Sequence, residues 1–470
     1  MDDISDRQRR KISFNLLDMS TVSHNNYGLW AHPSNVKTGY NTIRFWTDFA
    51  RLCERALFDT HFTADILGIA SGYGGSRDIA VREGMHVPIN DPLIPVSAMA
   101  AATSHIGFAL TVSTSYEAPF ALSRRMSTLD HLSKGRVGFN IVTSYLPNAG
   151  ENFGIPPGML SHDERYDLAD EFMAVCYKLW EGSWDEDAVV RDRGQNIYVD
   201  PSRVRRIDHK GRFFSVVGPH LCEPSPQRTP VLFQAGASGR GKRFAGTHAE
   251  VVFVGGRSLA SVRENVQEIR AEAQARGRRR EDIRLLVGCT LIPGHTKAAA
   301  EAKRADFQAM TRADGYLAHM FGSGTDLRQY QPNELIADIV RRGGPGTDHL
   351  SRYPYQPGTT VADVMEASAH IGGNGLFACG TGEECADKVQ EWAETMDVDG
   401  FLLRQLVSPG TVTDFIDYVM PALQRRGLYR EAYETTTLRG NIFGHPRIAD
   451  SHPAAAFRTL SAARAPAYAD

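Results

Sequence analysis

Apolar residues along this chain fall into short continuous runs, set between longer stretches with helical spacing. Eight runs read as strands: Lys11–Leu17, His61–Leu67, Gly107–Ser113, Val137–Val142, Pro230–Gln234, Glu250–Val254, Arg284–Ile292 and Gly400–Leu406. Each is apolar on both faces, as strands covered by helices are. Helical spacing separates them, over Thr42–Leu57, Leu93–Thr103, Pro119–Leu132, Asp163–Glu181, Arg240–Thr247, Leu259–Arg276, Ala298–Ala309 and Glu383–Met396. The alternation predicts an α/β fold, a single (β/α)8 TIM barrel rather than an open doubly wound sheet. Arg124–Tyr145, RRMSTLDHLSKGRVGFNIVTSY, shows the repeating unit most clearly. Met126, Leu129 and Leu132 recur at three-residue steps, and Lys134-Gly135 ends the helix, since glycine accepts the left-handed conformation. The strand then runs into Thr143, Ser144 and Tyr145, polar residues at the strand end where barrels carry their chemistry.

The chain's 470 residues exceed a typical barrel of about 250. The excess is concentrated in two expected insertions, about 185–229 between strands four and five and about 313–377 between strands seven and eight. The first carries Pro201, Pro219, Pro224 and Pro226; the second is rich in glycine and is the candidate lid. One domain is expected over 1–445, with a C-terminal tail over 446–470.

Composition narrows the class. A formal net charge of −3 gives no electrostatic reason to expect nucleic acid or an anionic membrane. Six cysteines are scattered without a CxxC pair, so reduced thiols in a cytoplasmic enzyme are expected. The charged start MDDISDRQRRK has no apolar segment behind it, and no apolar run reaches 18 residues, so neither signal peptide nor membrane span is expected.

Several residues could carry chemistry. Pro230–Ala245 reads as strand, small-residue turn and helix start, with Ser238 at the N-cap and Arg240 or Lys242 as basic neighbours. A free helix N-terminus there suits a phosphate, and it equally suits an ordinary capped turn. It is neither a Walker A loop nor a GxGxxG fingerprint, so no NAD fold is indicated. Ser161-His-Asp-Glu164 opens the next helix as a capping box, placing Arg165 and Tyr166 in its first turn. Asp65 closes the second strand, and His24 follows the first, in Ser23-His-Asn-Asn-Tyr-Gly-Leu-Trp30; His319 lies in the second insertion. Sixteen histidines without ligand spacing predict no metal site.

At these residues the chain resembles the bacterial-luciferase-like FMNH2-dependent monooxygenases. The motifs are RRMSTLDHLSKGRVGFNIVTS, NFG (Asn152–Gly154), HDERYDLADEF (His162–Phe172) and KLWEGSWDEDAVVRD (Lys178–Asp192). They are similar to the branch holding nitrilotriacetate, dibenzothiophene-sulfone, dimethyl-sulfide and long-chain alkane monooxygenases. SRDIAVREGMHVPINDPL (Ser76–Leu93) and GPHLCEPSPQRTPVLFQAGAS (Gly218–Ser238) lean towards the last two. The resemblance implies reduced FMN delivered by a separate NAD(P)H:FMN oxidoreductase, with dioxygen activated as a peroxyflavin that gives one oxygen atom to substrate. It implies flavin contacts at Asp65, Ser144, Tyr145, Tyr166 and Ser238, and catalytic positions at His24, beside the flavin ring, and His319, facing substrate. It also implies a homodimer or homotetramer.

The chain departs from the alkane enzymes' pattern, which has cysteine at Thr21, tyrosine at Ala70 and histidine at Tyr145. Ala70 is expected to enlarge the pocket. An apolar or organosulfur substrate is expected, because the insertions show no arginine cluster of the kind a polycarboxylate needs. The alternatives are an aminopolycarboxylate or aryl-sulfone monooxygenase of the same branch, an F420-dependent dehydrogenase, and a non-catalytic flavin-binding barrel.

Overall fold

The computed structural model describes residues 11–458 except 157–159, 237, 257, 323–325, 344–346, 348–349, 351–354, 368–369 and 373–374. Eight strands form the barrel: β1 Ser13–Met19, β2 Thr60–Ala64, β3 Gly107–Ser113, β4 Val137–Val142, β5 Val231–Gln234, β6 Val251–Val254, β7 Arg284–Gly294 and β8 Gly400–Arg404. Every neighbouring pair is parallel, and β8 pairs with both β7 and β1, so the sheet closes and leaves no barrel edge. Side chains fill its interior. Phe62, Ala109, Phe233, Leu286 and Leu402 meet there, and Gly138 must be glycine because a Cβ would lie 2.6 Å from the Phe233 ring. Leu438, from the helix Leu438–Phe443, plugs the floor and is closed over by Gly107, where a Cβ would stand 2.5 Å from it. With the floor plugged among the described residues, the end where the strands finish is the one left open to a ligand.

Three expectations need correction. First, the strand Leu376–Thr381 is a ninth, pairing in parallel with the far half of β7 and beginning inside the expected 313–377 insertion. Its LFACGT composition carries little strand signal. Second, the chain continues after β8 in a helical run, where the sequence pattern assigns no helix. That run has three pieces, Gly410–Asp414, Phe415–Val419 and Met420–Arg425, with Pro409 at its start and Pro421 inside it. Third, Leu132 is 60% exposed while Leu122, Met126 and Leu129 are buried. Steps of three residues drift about 60° per step on a helix of 3.6 residues per turn, so the third member of the series leaves the inner face.

Between β4 and β5 the first insertion forms two small antiparallel pairs, Val189–Asp192 with Ile197–Val199 and His209–Lys210 with Ser215–Val216. The second has a core of its own, where Leu317, Phe321, Leu327 and Ile336 pack on Tyr27, Ala70 and Tyr73 from the loops after β1 and β2. It is therefore seated over the open end of the barrel. Of the expected tail, residues 446–458 lie on the barrel: buried His452 bonds the His248 carbonyl at 2.8 Å, and Arg458 pairs with buried Glu181 at 2.8 Å. Residues 459–470 lie outside the described residues.

Candidate functional site

A cavity of about 590 Å³ opens at the C-terminal ends of β2, β4 and β5. Asp65, Ser144, Tyr145, Tyr166 and Ser238 all line it, although they are spread over more than 170 positions of sequence. Each arrives by a local rule. Asp65 and Ser144 follow the last residues of their strands. Tyr166 is set by the helix His162–Tyr177, whose Ser161–Glu164 capping box forms as expected. Ser238 caps the helix Gly239–His248, its Oγ accepting from Gly241 N at 3.0 Å. Gly241 leaves room for nothing more, since a Cβ would meet the Tyr166 hydroxyl at 2.8 Å.

The electrostatics divide the cavity. Arg165 lines it, with Nη1 donating to the Leu160 carbonyl at 3.0 Å. The expected basic neighbours do not. Arg240 pairs with Asp167 at 3.0 Å and with Asp170, and lies over the Tyr166 ring at 5.4 Å; Lys242 pairs with Glu268. A phosphate at this turn would thus meet the helix amino end, the Ser238 hydroxyl and Arg165. Across the cavity, burial pushes the Asp65 carboxyl up to about 7. Ser144 holds a left-handed backbone (φ 55°) that a non-glycine residue adopts at a cost. Gln234 Oε1 is buried without a hydrogen-bond partner among the described residues. An orphaned acceptor, a helix amino end and one arginine fit a flavin, whose ring edge carries N–H groups and whose tail carries a phosphate.

His24 and His319 stand outside this cavity, in a second cluster with His86, which no motif in the sequence marks. Tyr27 Oη lies 2.9 Å from His86 Nε2 and 2.9 Å from His319 Nδ1. The His24 ring meets His86 edge-on at 5.1 Å and His319 at 6.1 Å. Burial, then the neighbouring His319, holds His24 down at about 3, and burial holds His86 well below its ordinary value, so both rings are neutral near pH 7. Tyr145 connects the two regions, lining the cavity and lying close enough to Tyr27 to interact with it electrostatically. Beneath His24, burial would raise the Asp18 carboxyl, but Lys37 and His61 hold it down at about 2. Neither His86 nor Lys37 carries a motif, and what marks His86 out is a left-handed backbone (φ 58°) that no spacing reveals.

Ala70 is not among the residues that line this cavity. It is buried beneath the second insertion, where a Cβ on Gly322 would lie 2.8 Å from its own. Among the described residues, no group of three or more His, Cys, Asp or Glu side chains is disposed to hold a metal ion, and no helix is long and apolar enough to cross a membrane.

Residues 25–398 match the family described as luciferase-like monooxygenase. The long-chain alkane monooxygenase of Geobacillus thermodenitrificans is 46% identical over 457 residues, covering 96% of this chain and 99% of its own. A crystal structure of long-chain alkane monooxygenase superposes with a TM-score of 0.89, covering 96% of this chain and 100% of that one. The dimethyl-sulfide monooxygenase of Hyphomicrobium sulfonivorans is 43% identical over 454 residues, 96% of this chain and 94% of its own. A riboflavin lyase, solved with modified FMN and riboflavin, has a TM-score of 0.88 at 38% identity and covers 96% of this chain and 100% of its own.

Proposed function

The chain belongs to the luciferase-like monooxygenase family, and on that footing we propose a two-component FMN enzyme acting on an apolar or organosulfur small molecule, alkane- or alkyl-sulfide-like. A separate NAD(P)H:FMN oxidoreductase supplies the reduced cofactor in this reading. Its main support is the convergence of Asp65, Ser144, Tyr145, Tyr166 and Ser238 on one cavity. Reduced FMN, when bound, supplies the electrons that let dioxygen give one atom to substrate and the other to water.

The chain's residues do the remaining work. Ser238, the amino end of the helix Gly239–His248 and Arg165 bind the phosphate. Ser144 and Gln234 orient the ring by hydrogen bonds, and Asp65 holds a proton at neutral pH. The apolar cluster of Tyr27, Ala70, Leu317 and Phe321 excludes water on the side of His24 and His319. His24 and His319 then offer neutral imidazoles or polar edges to the reacting group, the former through a ring whose Nδ1 has no partner among the described residues.

Substrate polarity follows from the same residues. Among the described residues that line the cavity, Arg165 is the one lysine or arginine, and the phosphate takes it. A polycarboxylate would find no second cation there. The test is a panel of alkanes, alkyl sulfides, aryl sulfones, aminopolycarboxylates and riboflavin, given FMN, a generic flavin reductase and NADH. Oxygenated alkane or alkyl sulfide is the expected product. Product from the polycarboxylates alone would overturn the substrate reading, and turnover with reduced F420 but not reduced FMN would overturn the cofactor.

A further inference from the structure

The Tyr27 hydroxyl sits between two imidazole nitrogens, His86 Nε2 and His319 Nδ1, at 2.9 Å from each. A hydroxyl has one hydrogen to donate and two lone pairs. Among the described residues the hydroxyl has no acceptor other than these two rings, so its one hydrogen goes to one of them and the other ring donates to the oxygen. One ring must therefore present a bare nitrogen and the other an N–H.

Two neutral arrangements satisfy this. In one, Tyr27 donates to His319 Nδ1 and accepts from His86 Nε2–H, so both rings carry their proton on Nε2. In the other, Tyr27 donates to His86 Nε2 and accepts from His319 Nδ1–H, so both carry it on Nδ1. The opposite combinations leave two donors or two lone pairs facing one another, at a buried tyrosine and a buried His86. The rings are held for this exchange: His86 sits at a left-handed backbone position, Tyr27 is fully buried, and a Cβ at Gly315 would strike the Tyr27 Cβ.

We propose that Tyr27 is a positioning residue that locks His86 and His319 into one shared tautomer and so forms a proton path across the inner wall of the site. Passage from the first arrangement to the second moves the His86 Nε2 proton to the Tyr27 oxygen and the Tyr27 proton to His319 Nδ1. One proton is then taken up at His86 Nδ1 and one is released from His319 Nε2, so no net charge stays in the buried cluster. The reverse passage is equally balanced. A site that turns one dioxygen oxygen into water needs protons delivered without open water, and this path carries them; in that respect the inference rests on the monooxygenase reading.

The tautomer lock is testable without flavin or substrate. In the full chain labelled with 15N-histidine, at about pH 8, above the ordinary histidine pKa of about 6.5, imidazole nitrogen shifts report which nitrogen carries hydrogen. Single variants His86→Gln and His319→Gln assign the signals. The expected result is the same tautomer on both rings, and loss of that agreement in Tyr27→Phe. With FMN, reductase and substrate, Tyr27→Phe should lower kcat about tenfold or more, leave KM within about twofold, and change the solvent deuterium isotope effect. Opposite tautomers in the unmodified chain overturn the lock, and this readout stands even if Tyr27→Phe does not fold. A shared tautomer with kcat and isotope effect unchanged in a folded Tyr27→Phe overturns the path. Failure of every substrate in the panel leaves the tautomer result intact and marks the monooxygenase reading as the one that failed.

Discussion

Ser144 Oγ donates to Ser113 Oγ at 2.8 Å, joining the C-terminal ends of two neighbouring barrel strands. It does so from a backbone at φ 55°, a region that L-residues enter at about 1 kcal/mol or more. The strain places the hydroxyl, and the two effects separate by substitution. Ser144→Gly should melt higher than Ser144→Ala by about 1 kcal/mol of stability, because glycine adopts this backbone freely. Both should weaken FMN binding about fivefold, the usual worth of one hydrogen bond. Thermal unfolding and fluorescence titration give the two readings, and equal stability of the variants would refute the strain.

Asp65 gives the flavin-free protein a signature in pH. Its carboxyl sits at about 7 when folded, against an ordinary 3.8, because burial disfavours the charge. A raised folded value means the native state holds the proton more tightly. The associated stability is complete below about pH 4 and is lost as pH rises through 7. A shift of three units caps the effect at about 4 kcal/mol, and partial exposure of the side chain brings it to roughly 2 kcal/mol. The melting temperature of the unmodified chain should therefore fall from pH 5 to pH 8 relative to that of Asp65→Asn. Parallel curves would remove Asp65 as a buried acid.

Much of the barrel was legible because its strands are short, apolar on both faces and flanked by well-spaced helices. β3 and β4 appear in the structure with the bounds expected of them, Gly107–Ser113 and Val137–Val142. The ninth strand and the helical run after β8 were not legible, since small residues in one and prolines in the other suppress the local signal. The residues that line the cavity could be picked out at strand ends and helix starts, where position itself implies exposure to the mouth. His86 and Lys37 could not. Their significance lies in contacts with Tyr27 and Asp18 that only the folded chain creates.

Arg165 and Arg240 make opposite predictions for the phosphate. Arg165 lines the cavity, whereas Arg240 spends its charge on Asp167 and Asp170. Arg165→Gln should weaken FMN about tenfold, within the worth of one charge-assisted hydrogen bond, and leave riboflavin, which lacks the phosphate, almost unaffected. Arg240→Gln should shift both flavins equally and by less. The ratio of FMN to riboflavin affinity decides, and a larger ratio change in Arg240→Gln would reverse the assignment.

Gly322 and Ala70 fix how closely the second insertion sits on the barrel mouth. A methyl at 322 would stand 2.8 Å from the Ala70 methyl and 3.0 Å from the Ala318 carbonyl, so one of the elements must move. Gly322→Ala should cost about 1–3 kcal/mol, as overpacking does. It should also raise oxygen consumption that yields hydrogen peroxide rather than product, by admitting water. Combining it with Ala70→Gly removes one of the two clashes and should recover part of both losses. Strict additivity in the double variant would show that the two positions do not touch.

His24 supplies the sharpest test of the inner cluster. Its ring is neutral across the working pH range, being held at about 3 by burial and then by His319. Its Nδ1 is buried with no partner among the described residues, so it has a hydrogen bond to offer and nothing to satisfy it within the described chain. A structural histidine would have that bond already made. Replacement by Phe keeps the ring volume and removes both nitrogens. His24→Phe should bind FMN within about twofold of the unmodified chain, because the phosphate and Ser144 contacts are untouched, yet lose about tenfold in product per NADH, with hydrogen peroxide making up the difference. His24→Asn, a neutral group with similar hydrogen-bonding capacity, should restore part of the yield. Neither variant should alter the dependence of yield on pH near 6.5, since no proton leaves or joins this ring there. Full product yield from His24→Phe would place the histidine outside the chemistry and leave His319 and His86 to carry it.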